Sequence, residues 1–400
     1  MALPSNRKRK FDMDAVSDEF IAAQTDSSLL FAKHIFFDLV KADSNFVFSP
    51  LSINILLGMA AAGSTGETRR SLLSFLKSDS TADFDAFAFH VLTNILADAS
   101  HLGGPRLSAA NGVWMEQTLS LKPSYKDLLE KSYDAVCQSV DFRTKTSEAV
   151  DGVNLWIEKK TGGMIRNVLD KRKVSPLTSI ILTNALYFKG NWDEGFDEKY
   201  THDRDFYLMN GTSVKVPFMN SGMKQCVKAY DDFKILSLPY KRGRDMARQF
   251  SMYFVLPNAN DGLSSLMETI TIEPGFLERH APDKRVRVAP FHIPKFKITF
   301  GFDVLSVLEK LGVLFTHDGF DEMVVDPEES PVVSNIIQKC VVDVNEKGTE
   351  CAAITTMITY PGYSPEEKID FVADHPFAFF IREDVSGVVT FVGTVLNPLL

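Results

Sequence analysis

Apolar residues spaced three and four apart dominate the first part of the chain, and short alternating or continuous apolar runs dominate the rest. Residues 1–24 are polar and charged and read as a flexible arm. From Thr25 the pattern turns helical, with Asp26 placed to cap a helix whose face carries Leu30, Phe31, Ile35, Phe36 and Leu39. Ser49-Pro50 sets a capping hydroxyl before a proline at the first helical position, which predicts a helix through Ile53, Leu56, Leu57 and Ala60, closed by Gly63. Further helices are predicted from Gly66 and over 84–96. Strand patterns follow at 107–115, 135–142 and 179–188, then at 214–219, 233–238, 250–256, 285–292 and 295–299. Helical patterns return only from Leu263 and over 302–311. The chain closes with a β-branched strand at 331–345, a long loop and three strand-like runs up to Leu400. No repeat and no Pro/Gly/Ser linker divides it, so one mixed α/β domain over 25–400 is expected.

Of the 400 residues, 45% are apolar and 24% charged, enough to bury a sizeable core. The net charge of -9 argues against nucleic acid as a partner, because phosphate binding needs a concentrated basic face. Basic residues cluster only locally, at Arg7-Lys8-Arg9-Lys10, Lys171-Arg172-Lys173 and Lys241-Arg242-Gly243-Arg244, and each run also reads as a solvated segment. The first run resembles a short nuclear-import signal. No apolar core follows it, so a secretory signal is not expected, nor is a membrane span. The expected location is cytoplasmic, nuclear or both. There Cys137, Cys226, Cys340 and Cys351, which lack metal-ligand spacing, would stay as thiols. Asn210-Gly211-Thr212 is a sequon read as a turn.

Catalytic patterns fail one after another. The chain has no Walker loop, no paired-histidine zinc helix and no dinucleotide fingerprint, and Gly63-Ser64-Thr65-Gly66 lacks the spacing of a nucleophile elbow. Eight scattered histidines suggest packing rather than catalysis; His375, followed by Pro376 and Phe377, reads as a strand start. An enzyme is not expected, and neither a cofactor nor a metal is. The unusual segment is 346–367, where small and hydroxylated residues follow a strong strand. A loop that long in a compact domain is commonly functional, and the β-compatible residues over 349–356 would suit a sheet.

Five separated motifs follow one another along the chain: Asn45-Phe46-Val47-Phe48-Ser49-Pro50-Leu51-Ser52, Thr183-Asn184-Ala185-Leu186-Tyr187-Phe188-Lys189-Gly190-Asn191-Trp192, Pro294-Lys295-Phe296, Asp374-His375-Pro376-Phe377, and Phe391-Val392-Gly393 with Pro398. In this order they resemble the serpin family, from about Ser27 to Pro398. Asn345-Glu346-Lys347-Gly348-Thr349-Glu350 resembles the family's hinge. Leu238-Pro239-Tyr240-Lys241 and Gln249-Phe250-Ser251-Met252-Tyr253 look most like plant members.

The resemblance implies a mixed α/β fold of three β-sheets and about nine helices, with an exposed reactive loop. It also implies a suicide-substrate inhibitor of endopeptidases. The partner would be a target protease, serine or papain-like cysteine, held in a covalent complex by a monomer. The hinge would comprise Glu346, Lys347, Gly348, Thr349, Glu350, Cys351, Ala352 and Ala353, and the sheet would open near Ser49, Ser52, Asn184 and Gln338. Counted from Glu346 as in inhibitory members, the reactive bond is Gly362-Tyr363; Tyr363-Ser364 is the second choice because it offers an aromatic anchor. Cys351 stands where the family has alanine, Ile354 where it has a small side chain, and Gln338 where most members have histidine. The first two work against fast insertion and support an alternative, a non-inhibitory binding or structural protein on the same fold. Gln338 still donates and accepts hydrogen bonds, without histidine's pH sensitivity.

Overall fold

The computed structural model describes residues 18–39, 44–316, 319–325, 331–349 and 369–400. Three β-sheets are present among them. The six-stranded sheet runs β12 (Phe296–Asp303), β13 (Val333–Asn345), β14 (Gly348–Thr349), β4 (Ile180–Asn191), β2 (Arg106–Glu116) and β3 (Ala135–Val140). The seven-stranded sheet runs β1 (Phe46–Phe48), β17 (Val389–Val395), β16 (Phe377–Glu383), β9 (Phe250–Pro257), β8 (Phe233–Pro239), β7 (Gln225–Ala229) and β10 (Arg285–Val286). A third sheet joins β15 (Ile369–Val372), β11 (Val288–Pro294), β6 (Ser213–Met219) and β5 (His202–Tyr207).

Helices α1 (Asp18–His34), α2 (Pro50–Ala62), α3 (Gly66–Phe75), α4 (Thr81–His90) and α5 (Pro123–Ser132) come early; α6 (Phe142–Lys160), α7 (Leu263–Ile272), α8 (Phe276–His280) and α9 (Leu305–Lys310) follow. Ser49 caps α2 by accepting from the Ser52 N–H, with Pro50 opening the helix. Nearly all of α2 is buried, which is why it is apolar all round. The first helix starts at Asp18, not at Asp26, so residues 18–24 belong to a helix and not to the arm. Asp26 lies inside it, and its carboxylate accepts from the backbone N–H of Gly275 in a distant loop, 3.2 Å away. A helix-capping residue type was thus serving a tertiary contact.

The two larger sheets pack face to face. Phe188 of β4 meets Phe250 and Phe391, and Phe296 of β12 meets Phe377 and Phe379. Along β4 and β13 side chains alternate between faces. Leu182, Leu186, Ile336 and Cys340 enter this main core, whereas Ile181, Ala185, Ile337 and Val341 enter a smaller core beneath α6. No described helix is long and apolar enough to cross a membrane.

Candidate functional site

The seam between β13 and β4 differs along its length. From Asn335 to Val341, β13 pairs directly and in parallel with β4, Gln338 standing opposite Asn184. Above that, the chain leaves β13, turns at Glu346-Lys347 and re-enters as β14. Gly348 and Thr349 pair antiparallel with both neighbours: with Asn345 and Val344 on one side, and with Asn191 and Gly190 on the other. The start of the predicted hinge is therefore already inside the sheet.

Each described residue of the expected hinge has a physical reason for its place. Gly348 has φ 145°, and a Cβ there would lie 2.1 Å from the Gly190 carbonyl oxygen, so the close approach to β4 requires glycine. Thr349 is 1% exposed and shares a 2.8 Å hydrogen bond with the Tyr240 hydroxyl. Burial pushes the Tyr240 phenol well up, so it stays a neutral partner. The Tyr240 ring stacks on Trp192 at 4.6 Å. Trp192 in turn donates from its backbone to the Lys347 carbonyl and from Nε1 to the Asn345 carbonyl, both at 2.9 Å.

Glu346 anchors the turn. Its side chain accepts from Lys295 Nζ at 2.8 Å and from the Thr201 hydroxyl at 2.9 Å, while its carbonyl accepts from Phe196 N–H. Burial raises the carboxyl's pKa, but hydrogen bonds from Lys295, from its own backbone and from Thr201 outweigh it and hold the value below the ordinary one. The Lys347 side chain makes a long contact to Glu198, 3.7 Å, while its backbone N–H donates to Asn345 Oδ1 at 3.0 Å.

The middle of the seam is held differently. Gln338 donates to the Ser49 carbonyl at 2.8 Å and accepts from the Ser49 N–H at 3.0 Å, joining β13 to the start of α2. Ser52 is reached through the Ser49 cap, not by Gln338 itself. Asn184 turns instead to Asn111, donating to its side-chain oxygen at 2.7 Å. Asn184 Oδ1 and Ser52 Oγ are buried with no hydrogen-bond partner among the described residues. Ser49, Ser52, Asn184 and Gln338 are all buried, the first three being wholly enclosed.

Glu350, Cys351, Ala352, Ala353, Ile354 and the bonds at Gly362, Tyr363 and Ser364 lie outside the described residues, as do Arg7 to Lys10. The chain is picked up again at β15, which pairs in parallel with β11, and Asp370 there meets Lys234 at 2.8 Å. Sequence reasoning had not linked Lys295, Thr201, Trp192 and Tyr240 to the hinge. Lys295, Trp192 and Tyr240 sat inside motifs already noticed, but only the fold shows that they converge.

Comparison with known proteins supplies the remaining findings. The family model described as Serpin (serine protease inhibitor) matches residues 26–398. Serpin-ZX of Arabidopsis thaliana is 48% identical over 388 residues, covering 95% of this chain and 99% of that protein. Serpin-ZXA of Oryza sativa subsp. japonica is 46% identical over 364 residues, covering 90% of this chain and 91% of that one. The solved structure of Arabidopsis AtSerpin1 in its native stressed conformation matches with a TM-score of 0.89 at 46% identity, over 97% of this chain and 100% of that chain.

Proposed function

Because this chain belongs to the serpin family, we propose that it is a one-use inhibitor that offers its 350–368 segment to an endopeptidase and traps the acyl-enzyme by drawing the cut segment into the six-stranded sheet. The wedge of Gly348 and Thr349 carries this reading. Below it β13 and β4 are parallel neighbours, and a strand continuing from Thr349 would run antiparallel to both. One parallel ladder would give way to two antiparallel ones, which are slightly more stable per residue. Extending both registers step by step places Thr355 between Gln338 and Asn184, and Ile358 between Asn335 and Ile181. At ~1 kcal/mol net per added hydrogen bond, filling the seam over 350–358 gains on the order of 10 kcal/mol.

Alternation assigns the faces. Cys351, Ala353, Thr355 and Met357 would share the main-core face with Thr349; Ala352, Ile354 and Thr356 would face α6. Thr355 would arrive beside the unpartnered Asn184 Oδ1, to which its hydroxyl can donate. Ile354 would have to fit beneath α6, and its bulk favours the second reading, a protein of the same fold that binds but does not trap.

In the trapping step the protease nucleophile attacks the carbonyl before the reactive bond, Gly362-Tyr363 or Tyr363-Ser364. The amine of the following residue leaves, and the ester or thioester stays on the protease. No Arg or Lys lies between Lys347 and Lys368, whereas Met357, Ile358, Tyr360 and Tyr363 offer apolar anchors. Trypsin-like and metacaspase-like targets are therefore not expected, because their acidic pockets would be left unpaired. Chymotrypsin-like serine proteases and papain-like cysteine proteases are. Incubation with a protease panel, followed by denaturing gels and mass spectrometry, tests this. A trypsin complex cut within 357–364 would overturn the target class; no complex with any protease would select the non-inhibitory reading.

A further inference from the structure

On the face of the six-stranded sheet that carries α6, the segment following α6 lies over β12 and β13 and borders a half-open cavity of about 240 Å³. Its lining mixes polar and apolar groups: Val168, Val174 and Ile337, all buried, face Asn167, Thr299, Asn335 and charged side chains. Two lysines also border it, Lys339 from β13 and Lys173 from the turn beyond α6.

Lys339 is half-buried. Its Nζ donates to the backbone carbonyls of Arg166 at 2.9 Å and Asn167 at 3.0 Å. An ammonium has three donors, so one is left over. Among the described residues no carboxylate pairs with Lys339 or Lys173. Asp170 also borders the cavity, but its carboxylate is engaged by the Arg172 guanidinium at 2.7 Å. That bond and the Arg172 N–H hold its pKa down at about 2. Burial lowers the pKa of Lys339, the expected response of an amine whose charge is met only by carbonyl dipoles.

We propose that this cavity binds a small organic acid with an apolar body. The carboxylate would take the remaining donor of Lys339, with Lys173 at the mouth, and the hydrocarbon would lie against Val168, Val174 and Ile337. Pockets for drug-sized ligands measure about 300–1,000 Å³, so this smaller space suits an acid of medium chain length. The two walls belong to different parts of the molecule: β12 and β13 on one side, the segment after α6 on the other. On the insertion mechanism proposed above, a ligand joining them would restrain the opening of the seam.

The test is calorimetric titration of the full chain with octanoate, compared with octylamine, which has the body without the acid, and acetate, which has the acid without the body. Octanoate is expected to bind at least about tenfold more tightly than either. Lys339→Met removes the charge and keeps the side-chain length; Thr299→Trp narrows the rim without touching the amine, Thr299 being exposed on β12. Each variant should weaken octanoate binding about tenfold or more, with folding checked by thermal melting, and Thr299→Trp carries the test alone if Lys339→Met does not fold. Absence of octanoate binding, equal binding of octylamine, or unchanged binding by a folded variant would overturn the site. The titration involves no protease, so its failure would leave the inhibitory reading untouched.

Discussion

The upper end of the β13–β4 seam is already parted by Gly348 and Thr349, whereas its middle is closed by direct pairing of the two strands. The fastenings differ in kind. Above, a partly exposed ion pair and a stacked aromatic pair steady a turn that has entered the sheet. Below, one uncharged side chain, Gln338, ties β13 to the buried start of α2. On the proposed mechanism the upper end would receive chain and the middle resist it, so variants at the two places should have different effects.

Cutting the chain between Ile358 and Ser364 should produce the largest change. The freed segment would fill the seam, and melting should rise by roughly 10 °C or more. Calorimetry on protein with a verified cut checks this; unchanged melting would mean that the two ends of the seam are not coupled by insertion.

Thr349→Arg comes next. It places a charge at a site 1% exposed, at a cost of several kcal/mol, and should convert an inhibitor into a substrate. Complex yield on denaturing gels is the readout, and full yield would show that the wedge is dispensable. Gln338→Ala should act in the opposite sense. It leaves the Ser49 N–H and carbonyl without their side-chain partner, at about 1–3 kcal/mol, and should lower the melting temperature while speeding insertion into the seam. Insertion no faster than in the parent protein would mean that Gln338 is not the restraint.

Lys295→Met leaves the Glu346 carboxylate buried with the Thr201 hydroxyl. The lysine is 36% exposed, so solvent screening reduces the expected loss to about 1 kcal/mol. Its pH dependence has a definite sign. The folded-state pKa of Glu346 is depressed, so its contribution is complete above the ordinary value of 4.5 and is lost as pH falls through the lower folded value. The melting gap between parent and variant should therefore close in acid, and a gap constant down to pH 3 would assign the effect to packing. The smallest effect is expected for Thr355→Val, which keeps the native protein unchanged and lowers the melting temperature of the cleaved form only, by the loss of one hydrogen bond to Asn184, about 1 kcal/mol.

Part of this was legible in the sequence. Ser49-Pro50 announced α2, and the hinge motif at Gly348-Thr349 marked the chain that enters the sheet as β14, while the strand expected of the residues after Thr349 lies outside the described residues. The pattern missed α5 and α6. In α6 only a narrow stripe of Ala149, Val150, Val153 and Ile157 is buried with Phe142, and Gly152 interrupts it, so its helical period is weak. Depth of insertion was not legible at all. It depends on how far Gly348 can approach Gly190 across two strands distant in sequence, and no local pattern records that distance.

The φ of Gly348 has a kinetic consequence. Starting a new strand is the slow part of strand addition, because the first contact must absorb the entropy of closing a loop before any ladder rewards it. Here that contact was made while the protein folded, so cleavage would release elongation from an existing nucleus, in a fixed direction and register. The trap would then be a race between zippering and hydrolysis of the acyl bond, and the protein would enter it with its first residues across the line.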